Sequence, residues 1–296
     1  KGGIESRASI RLRHSVGPSP LDTRPPLTWS NVFSYLRSLA EILVSLAEDQ
    51  GEVSQAALDL LPQSIAELAF QGLTAESRQY FELLTDWVLA ERKGLDVSHL
   101  SGIMRRVRDF CAEQIAKPNL PEDRKTEYTE FISKLTEWQA SLDQAGFSTR
   151  LKLWAGGESY RVSDDWKQVE EQLSLLAKEV IQSPQILTSD LIQWLLTASA
   201  KEARSFFYAL GQEDQNFHFR TALEALGKDA FGSRAFAPYF AGWAKRDLEG
   251  AEGRLDQLAE LHTVAATSLL ETTSWLDPTP RGLKRIKHVA PEDPEY

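Results

Sequence analysis

Cysteine, methionine and histidine are scarce in this chain: its 296 residues include one cysteine, Cys111, one methionine, Met104, and five histidines. A single cysteine cannot form an internal disulfide, which is typical of a reducing compartment, so we expect a cytoplasmic location. No two histidines lie three or four residues apart, the spacing that places two metal ligands on one helical face. We therefore expect neither a metal site nor a cofactor.

Long apolar runs are also missing. No unbroken apolar stretch approaches the roughly twenty residues that a helix needs to cross a bilayer, and no secretory signal opens the chain. We expect no contact with a membrane. Because the sequence begins at Lys1 and its one methionine is Met104, we expect it to be a piece of a longer or processed protein.

Basic residues are fewer than acidic ones: the chain has 33 basic and 43 acidic residues, which give a net charge of −10. A surface of that sign repels phosphate backbones, so we do not expect a nucleic acid as the partner. Basic residues cluster locally at Arg105, Arg106 and Arg108, and again from Arg281 to Lys287.

Catalytic and nucleotide-binding motifs are absent as well: neither G-x-S-x-G nor G-x-x-x-x-G-K-[ST] occurs. The tripeptide Ala-Leu-Gly occurs twice, ending at Gly211 and Gly227, each time after an apolar run of helical period. A phosphate loop needs a strand before its glycines, so we interpret both glycines as helix ends. We predict no catalytic residues and no enzymatic activity.

The periodicity of apolar residues divides the chain into three parts. Residues 1–27 include four prolines and a short alternating stretch, which predicts an extended linker or a strand of a preceding domain. From Trp29 onward the apolar residues recur every three or four positions, as in amphipathic helices. We divide this region into two helical-repeat halves, 28–146 and 147–296, the second ending in a basic and then an acidic tail.

The fold class that follows is all-α. We predict about eleven or twelve helices of roughly 10–20 residues joined by short loops, arranged as a right-handed α-solenoid of stacked antiparallel pairs, HEAT-like or TPR-like. A globular multi-helix bundle is the alternative. The segment TRLKLW, at 149–154, is the only contender for a strand after residue 28.

A few aromatic residues are candidates for a surface groove rather than the core. Trp154 precedes a Gly-Gly pair that predicts a turn, and Trp243 lies near Tyr239 and Phe240. Together with Arg105, Arg106 and Arg108, the residues Trp154, Tyr239 and Trp243 are our candidate partner-binding residues.

The second half resembles the C-terminal helical-repeat arrays of bacterial STAND-type ATPases that act in antiphage defence. The resemblance covers roughly residues 28–275 and consists of apolar spacings with few fixed residues. The matching positions are Trp194-Leu195, Ala203, Leu210-Gly211, Asp214, Tyr239 and Gly242. A glycine of the family pattern is missing next to Phe207 or Tyr208. The resemblance implies a sensor or scaffold segment that binds a protein partner, such as a phage protein or another domain of the same chain.

Three hypotheses for function follow. The first is a non-catalytic protein-interaction module whose stacked helices present a binding surface. The second is a HEAT-like DNA-binding or DNA-glycosylase-type enzyme, which needs a basic concave face, aromatic side chains and a positioned aspartate. The third is a structural scaffold for oligomerisation.

Overall fold

The computed structural model describes residues 28–49, 52–90, 95–156 and 166–289. Within these ranges the chain is all-helical, with fourteen α-helices, one short 3₁₀ turn and no strand. The prediction of an all-α fold is confirmed, whereas the predicted number of helices is too low because several helices are shorter than expected. The predicted linker or strand at 1–27 lies outside the described residues.

Six helices form the first part of the chain. They are α1 (Trp29–Glu48), α2 (Glu52–Phe70), α3 (Thr74–Leu89), α4 (Val97–Ile115), α5 (Glu122–Leu142) and α6 (Phe147–Gly156). Side chains set several starts: the Thr28 hydroxyl accepts from the Asn31 amide at 3.3 Å, and the Asp96 carboxylate accepts from the His99 amide at 2.9 Å. The segment 149–154, the only contender for a strand after residue 28, lies inside α6.

Eight helices form the rest. They are α7 (Trp166–Gln182), α8 (Ser189–Leu196), α9 (Ala203–Glu213), α10 (Arg220–Leu226), α11 (Ser233–Arg246), α12 (Leu248–Glu260), α13 (Ala266–Trp275) and α14 (Pro280–Val289). The 3₁₀ turn Pro184–Ile186 separates α7 from α8. Of these helices, α9 and α11 share the most extensive contact.

Helix stacking follows a regular order. Each member of the series α2, α4, α6, α7, α9, α11 and α13 packs against the next one, and α1, α3, α5, α12 and α14 lie against this series or beside one another. One continuous hydrophobic core runs from Leu43 to Leu276. A smaller cluster of Ala40, Leu68 and Leu73 lies between α1 and α2.

The last helix docks through a buried cation. Arg285 of α14 is 3% exposed, and its guanidinium lies 2.9 Å from the Asp256 carboxylate and donates to the Thr273 hydroxyl at 3.2 Å. Glu252, also buried, accepts a hydrogen bond from the Thr279 hydroxyl. Within the basic stretch from Arg281 to Lys287, Arg285 therefore has a structural role: it fixes α14 on α12 and α13.

Candidate functional site

A polar groove of about 400 Å³ lies where α4, α5, α6 and the start of α7 meet. We call it the arginine groove. Its lining includes Arg105 and Arg108 of α4, Gln139 of α5, Asp143 just after α5, Trp154 of α6 and Gln168 of α7. Three of the six candidate partner-binding residues thus line one groove: Arg105 and Arg108 from α4, and Trp154 from α6.

Helical geometry explains which arginines reach the groove. Residues three apart share a helix face, whereas adjacent ones point about 100° apart. Arg105 and Arg108 accordingly face α5, and Arg106 turns towards α2, where it donates to the Gln63 side chain at 3.2 Å. The structure therefore places Arg106 away from the other two.

Hydrogen bonds hold one guanidinium in place. Arg108 donates to the side-chain amide oxygen of Gln139 at 3.2 Å and to the Asp109 carboxylate at 3.3 Å. Trp154 is only 6% exposed, so its ring forms part of the groove wall rather than a projecting anchor. The arginines thus stand beside a rigid aromatic surface.

The electrostatics favour an anionic ligand. Guanidinium, amide and hydroxyl groups all donate hydrogen bonds, and a planar guanidinium can bind a carboxylate or phosphate through two of them. Asp143 supplies the only carboxylate among the described lining residues. Partial desolvation raises the pKa of Asp143, and the nearby Arg150 opposes that shift.

Tyr239 and Trp243 lie elsewhere, in the core between α9 and α11. Tyr239 is fully buried and Trp243 is 3% exposed, its ring 4.6 Å from that of Phe217 between centroids. Both aromatic rings sit on the face of α11 that packs against the core, so neither reaches a groove. We therefore no longer assign these two residues to a partner surface.

The core around Tyr239 contains a buried carboxylate. Asp214, which follows α9, accepts hydrogen bonds from the His218 amide at 2.8 Å, the Phe219 amide at 2.9 Å and the Tyr239 hydroxyl at 2.8 Å. Burial and the Asp214 charge raise the pKa of Tyr239 far above its ordinary range, so the phenol remains a donor at neutral pH. These bonds tie the loop after α9 to α11.

Two glycines let α9 and α11 approach closely. A Cβ added at Gly211 would lie 2.0 Å from the Tyr239 carbonyl oxygen, and one added at Gly242 would lie 2.0 Å from the Tyr208 carbonyl oxygen. Gly211 lies inside α9, which continues to Glu213, so its interpretation as a helix end is wrong. Gly227 does follow the end of α10, but with right-handed backbone geometry rather than a left-handed cap.

Arg246 completes this contact. Its guanidinium donates to the carbonyl oxygens of Gln212 at 2.9 Å and Asp214 at 3.2 Å, which lie at the carboxyl end of α9. We call Gly211, Asp214, Tyr239, Gly242 and Arg246 the α9–α11 clasp. Four of these five residues also carry the family resemblance, and in this structure they meet in one structural contact.

The chain's one cysteine, Cys111, is buried in the hydrophobic core. Burial raises the pKa of the Cys111 thiol to about 12, which leaves it protonated and unreactive at neutral pH. Among the described residues, no group of three or more histidine, cysteine, aspartate or glutamate side chains converges as metal ligands would. In the same part of the chain, no helix has both the length and the apolarity for a membrane crossing.

Sequence reasoning found the arginines but missed the polar residues that accompany them. Gln139, Asp143 and Gln168 carry no motif, and only the packing of α5 and α7 beside α4 brings them to the groove. No family model, curated protein or solved structure matches the chain. The resemblance to STAND-type ATPase repeat arrays therefore stays a prediction.

Proposed function

We propose that this chain is a non-catalytic protein-interaction module, built as an α-solenoid, that uses the arginine groove to bind an acidic segment of a protein partner. The observation that carries the proposal is the meeting of Arg105, Arg108 and Trp154 in one groove. The chain as a whole has a net charge of −10, so two arginines at one groove concentrate positive charge there. That positive charge complements an acidic ligand.

The solenoid arrangement is supported by the order of contacts. In a solenoid each repeat contacts only its neighbours, and the packing series from α2 to α13 follows the chain order in that way. Such an array holds side chains of neighbouring helices at fixed distances along one face. A sensor or scaffold role in a cytoplasmic defence or signalling protein is what the resemblance implies, and it belongs to the same proposal.

The test is binding of a labelled octapeptide that alternates alanine with glutamate, measured by fluorescence anisotropy. The double variant Arg105→Gln with Arg108→Gln should bind about tenfold more weakly than the original chain. The matched control is Lys228→Gln with Lys284→Gln, which changes the net charge equally at two exposed positions outside the groove. Equal weakening in both variants, or no binding by the original chain, would contradict the proposal.

The arginine groove also supports a second candidate function, that of a HEAT-like DNA glycosylase. A HEAT-like DNA glycosylase needs basic residues, an aromatic surface and a positioned aspartate, and Arg105, Arg108, Trp154 and Asp143 lie together. The mixed charge of the lining and the net charge of −10 favour a protein partner instead. Incubation with a duplex oligonucleotide that contains an alkylated base separates the two functions, because release of that base would refute the non-catalytic proposal.

A further inference from the structure

A second groove, of about 470 Å³, lies between α7, α9 and α13. We call it the glutamate groove. Glu170 and Glu171 line it from α7, Tyr208 and Gln212 from α9, and Trp275 from the end of α13. It shares no lining residue with the arginine groove.

Both glutamates bring a carboxylate to the groove lining, one helical turn after Lys167. Glu170 accepts a hydrogen bond from the Trp166 ring nitrogen at 2.8 Å. Two cations on the same helices have other partners: Lys178 lies 3.7 Å from Glu213, and Arg204 lies 2.9 Å from Glu271.

An aromatic surface accompanies these carboxylates. Trp275 is 41% exposed at the end of α13, and Tyr208 is partly exposed on α9. Indole faces attract cations, and the stems of lysine and arginine pack on apolar rings while their charged ends reach carboxylates. Carboxylates next to exposed rings therefore complement a lysine or arginine side chain in both charge and shape.

We propose that the glutamate groove binds a lysine- or arginine-bearing segment of a protein partner. This occupant differs in charge from the acidic segment assigned to the arginine groove, and the inference stands on different residues. If both proposals hold, the module contacts partners through two grooves of opposite charge at different positions along the helix stack.

The test uses a labelled octapeptide that alternates alanine with lysine or arginine, with the alanine–glutamate octapeptide for comparison. The double variant Glu170→Gln with Glu171→Gln should weaken binding of the basic peptide about tenfold, and Trp275→Ala should weaken it about fivefold. Raising the salt concentration should weaken it further, because partly exposed charge pairs are screened.

Matched controls separate specific binding from attraction by the acidic chain as a whole. Glu82→Gln with Glu113→Gln removes the same charge at exposed sites elsewhere, and Trp29→Ala removes a tryptophan that is 69% exposed on α1. Both controls should retain binding within about twofold. Circular dichroism of each variant confirms that it is folded.

Two outcomes would overturn the inference: equal weakening by the groove variants and their controls, or no preference for the basic over the acidic octapeptide. The variant Arg105→Gln with Arg108→Gln should bind the basic peptide as the original chain does. Failure of this inference is therefore distinguishable from failure of the proposed function, which is tested with the acidic peptide.

Discussion

Asp214 shows how one buried side chain can determine a loop. Its carboxylate is fully buried and accepts two amide hydrogen bonds and one phenol hydrogen bond, so the desolvated charge is well satisfied. Phe217 in the same loop adopts a positive φ of 58°, a geometry that non-glycine residues adopt only when their surroundings stabilise it. The amides of His218 and Phe219, the two residues after Phe217, donate to Asp214 and provide that stabilisation.

Replacing Asp214 with alanine should therefore destabilise the fold. The change leaves the amides of His218 and Phe219 and the Tyr239 hydroxyl without their acceptor, and we expect the free energy of unfolding to fall by about 3 kcal/mol. Urea denaturation followed by circular dichroism measures this change. Asp277→Ala removes an exposed carboxylate and should change stability by less than ~0.5 kcal/mol, so similar losses in both variants would refute the structural role of Asp214.

Cys111 is a second buried group with a measurable consequence. Because burial raises its pKa to about 12, the folded state keeps the thiol proton that the unfolded chain loses from about pH 8.5 upward. The contribution of Cys111 to stability is thus complete below that pH and is lost as the pH rises towards the folded-state pKa.

We expect the wild-type chain to lose stability between pH 8 and 10 faster than Cys111→Ala does, as measured by urea denaturation at each pH. The thiol should also react slowly with a disulfide reagent in the native state and rapidly in denaturant. Rapid labelling of the folded protein at pH 7.5 would contradict the buried position of this side chain.

At the scale of elements, the contact between α9 and α11 depends on the absence of side chains. Gly211 and Gly242 each face a carbonyl oxygen of the opposite helix, so the two backbones approach more closely than residues with a Cβ would permit. Phe206, Phe207, Phe236 and Phe240 then bury fully around this crossing. Two glycines that reduce helix propensity thereby allow extensive aromatic burial.

Alanine substitutions test this balance between helix propensity and packing. Gly211→Ala should destabilise the fold by about 3 kcal/mol, because a Cβ 2.0 Å from the Tyr239 carbonyl oxygen forces the helices apart. Gly253 of α12 is the matched control, since its added Cβ would meet only the Arg281 guanidinium at 3.6 Å. Gly253→Ala should stabilise the chain by up to ~1 kcal/mol, measured by thermal denaturation. Stabilisation by both substitutions would refute the close crossing.

At the scale of the whole molecule, the two helical halves predicted from the sequence share one hydrophobic core. Helix α6, which begins the second half, packs against α4 of the first half and α7 of the second. Leu151 of α6 is fully buried within the continuous core. The boundary near residue 146 therefore separates two stretches of sequence that remain in contact through buried side chains.

This continuity predicts that both halves unfold together. Urea titration should give one transition, with the same midpoint for hydrogen–deuterium exchange of peptides from 28–146 and from 166–289. Leu151→Ala should lower the free energy of unfolding by about 3 kcal/mol, whereas Leu283→Ala, at a side chain 58% exposed, should have little effect. Two separated midpoints in the original chain would show that the halves are independent units.

The sequence determined the helical class, because apolar residues at intervals of three and four bury only when the backbone is helical. It also determined individual helix starts, such as α5, where Pro121 precedes Glu122 and Asp123 in the first turn. It placed Arg105 and Arg108 on one face of α4, since residues three apart on a helix share a face.

Only the tertiary structure decided which side chains meet across helices. From the sequence, Tyr239 and Trp243 are candidates for a surface groove. Their burial depends on the Gly211–Gly242 crossing and, for Tyr239, on the hydrogen bond that its hydroxyl donates to Asp214, 25 residues earlier in the chain. The polar partners of the arginines and the whole glutamate groove likewise depend on helix order and crossing. Periodicity is a property of one helix, whereas a groove needs the relative positions of several, which no local pattern encodes.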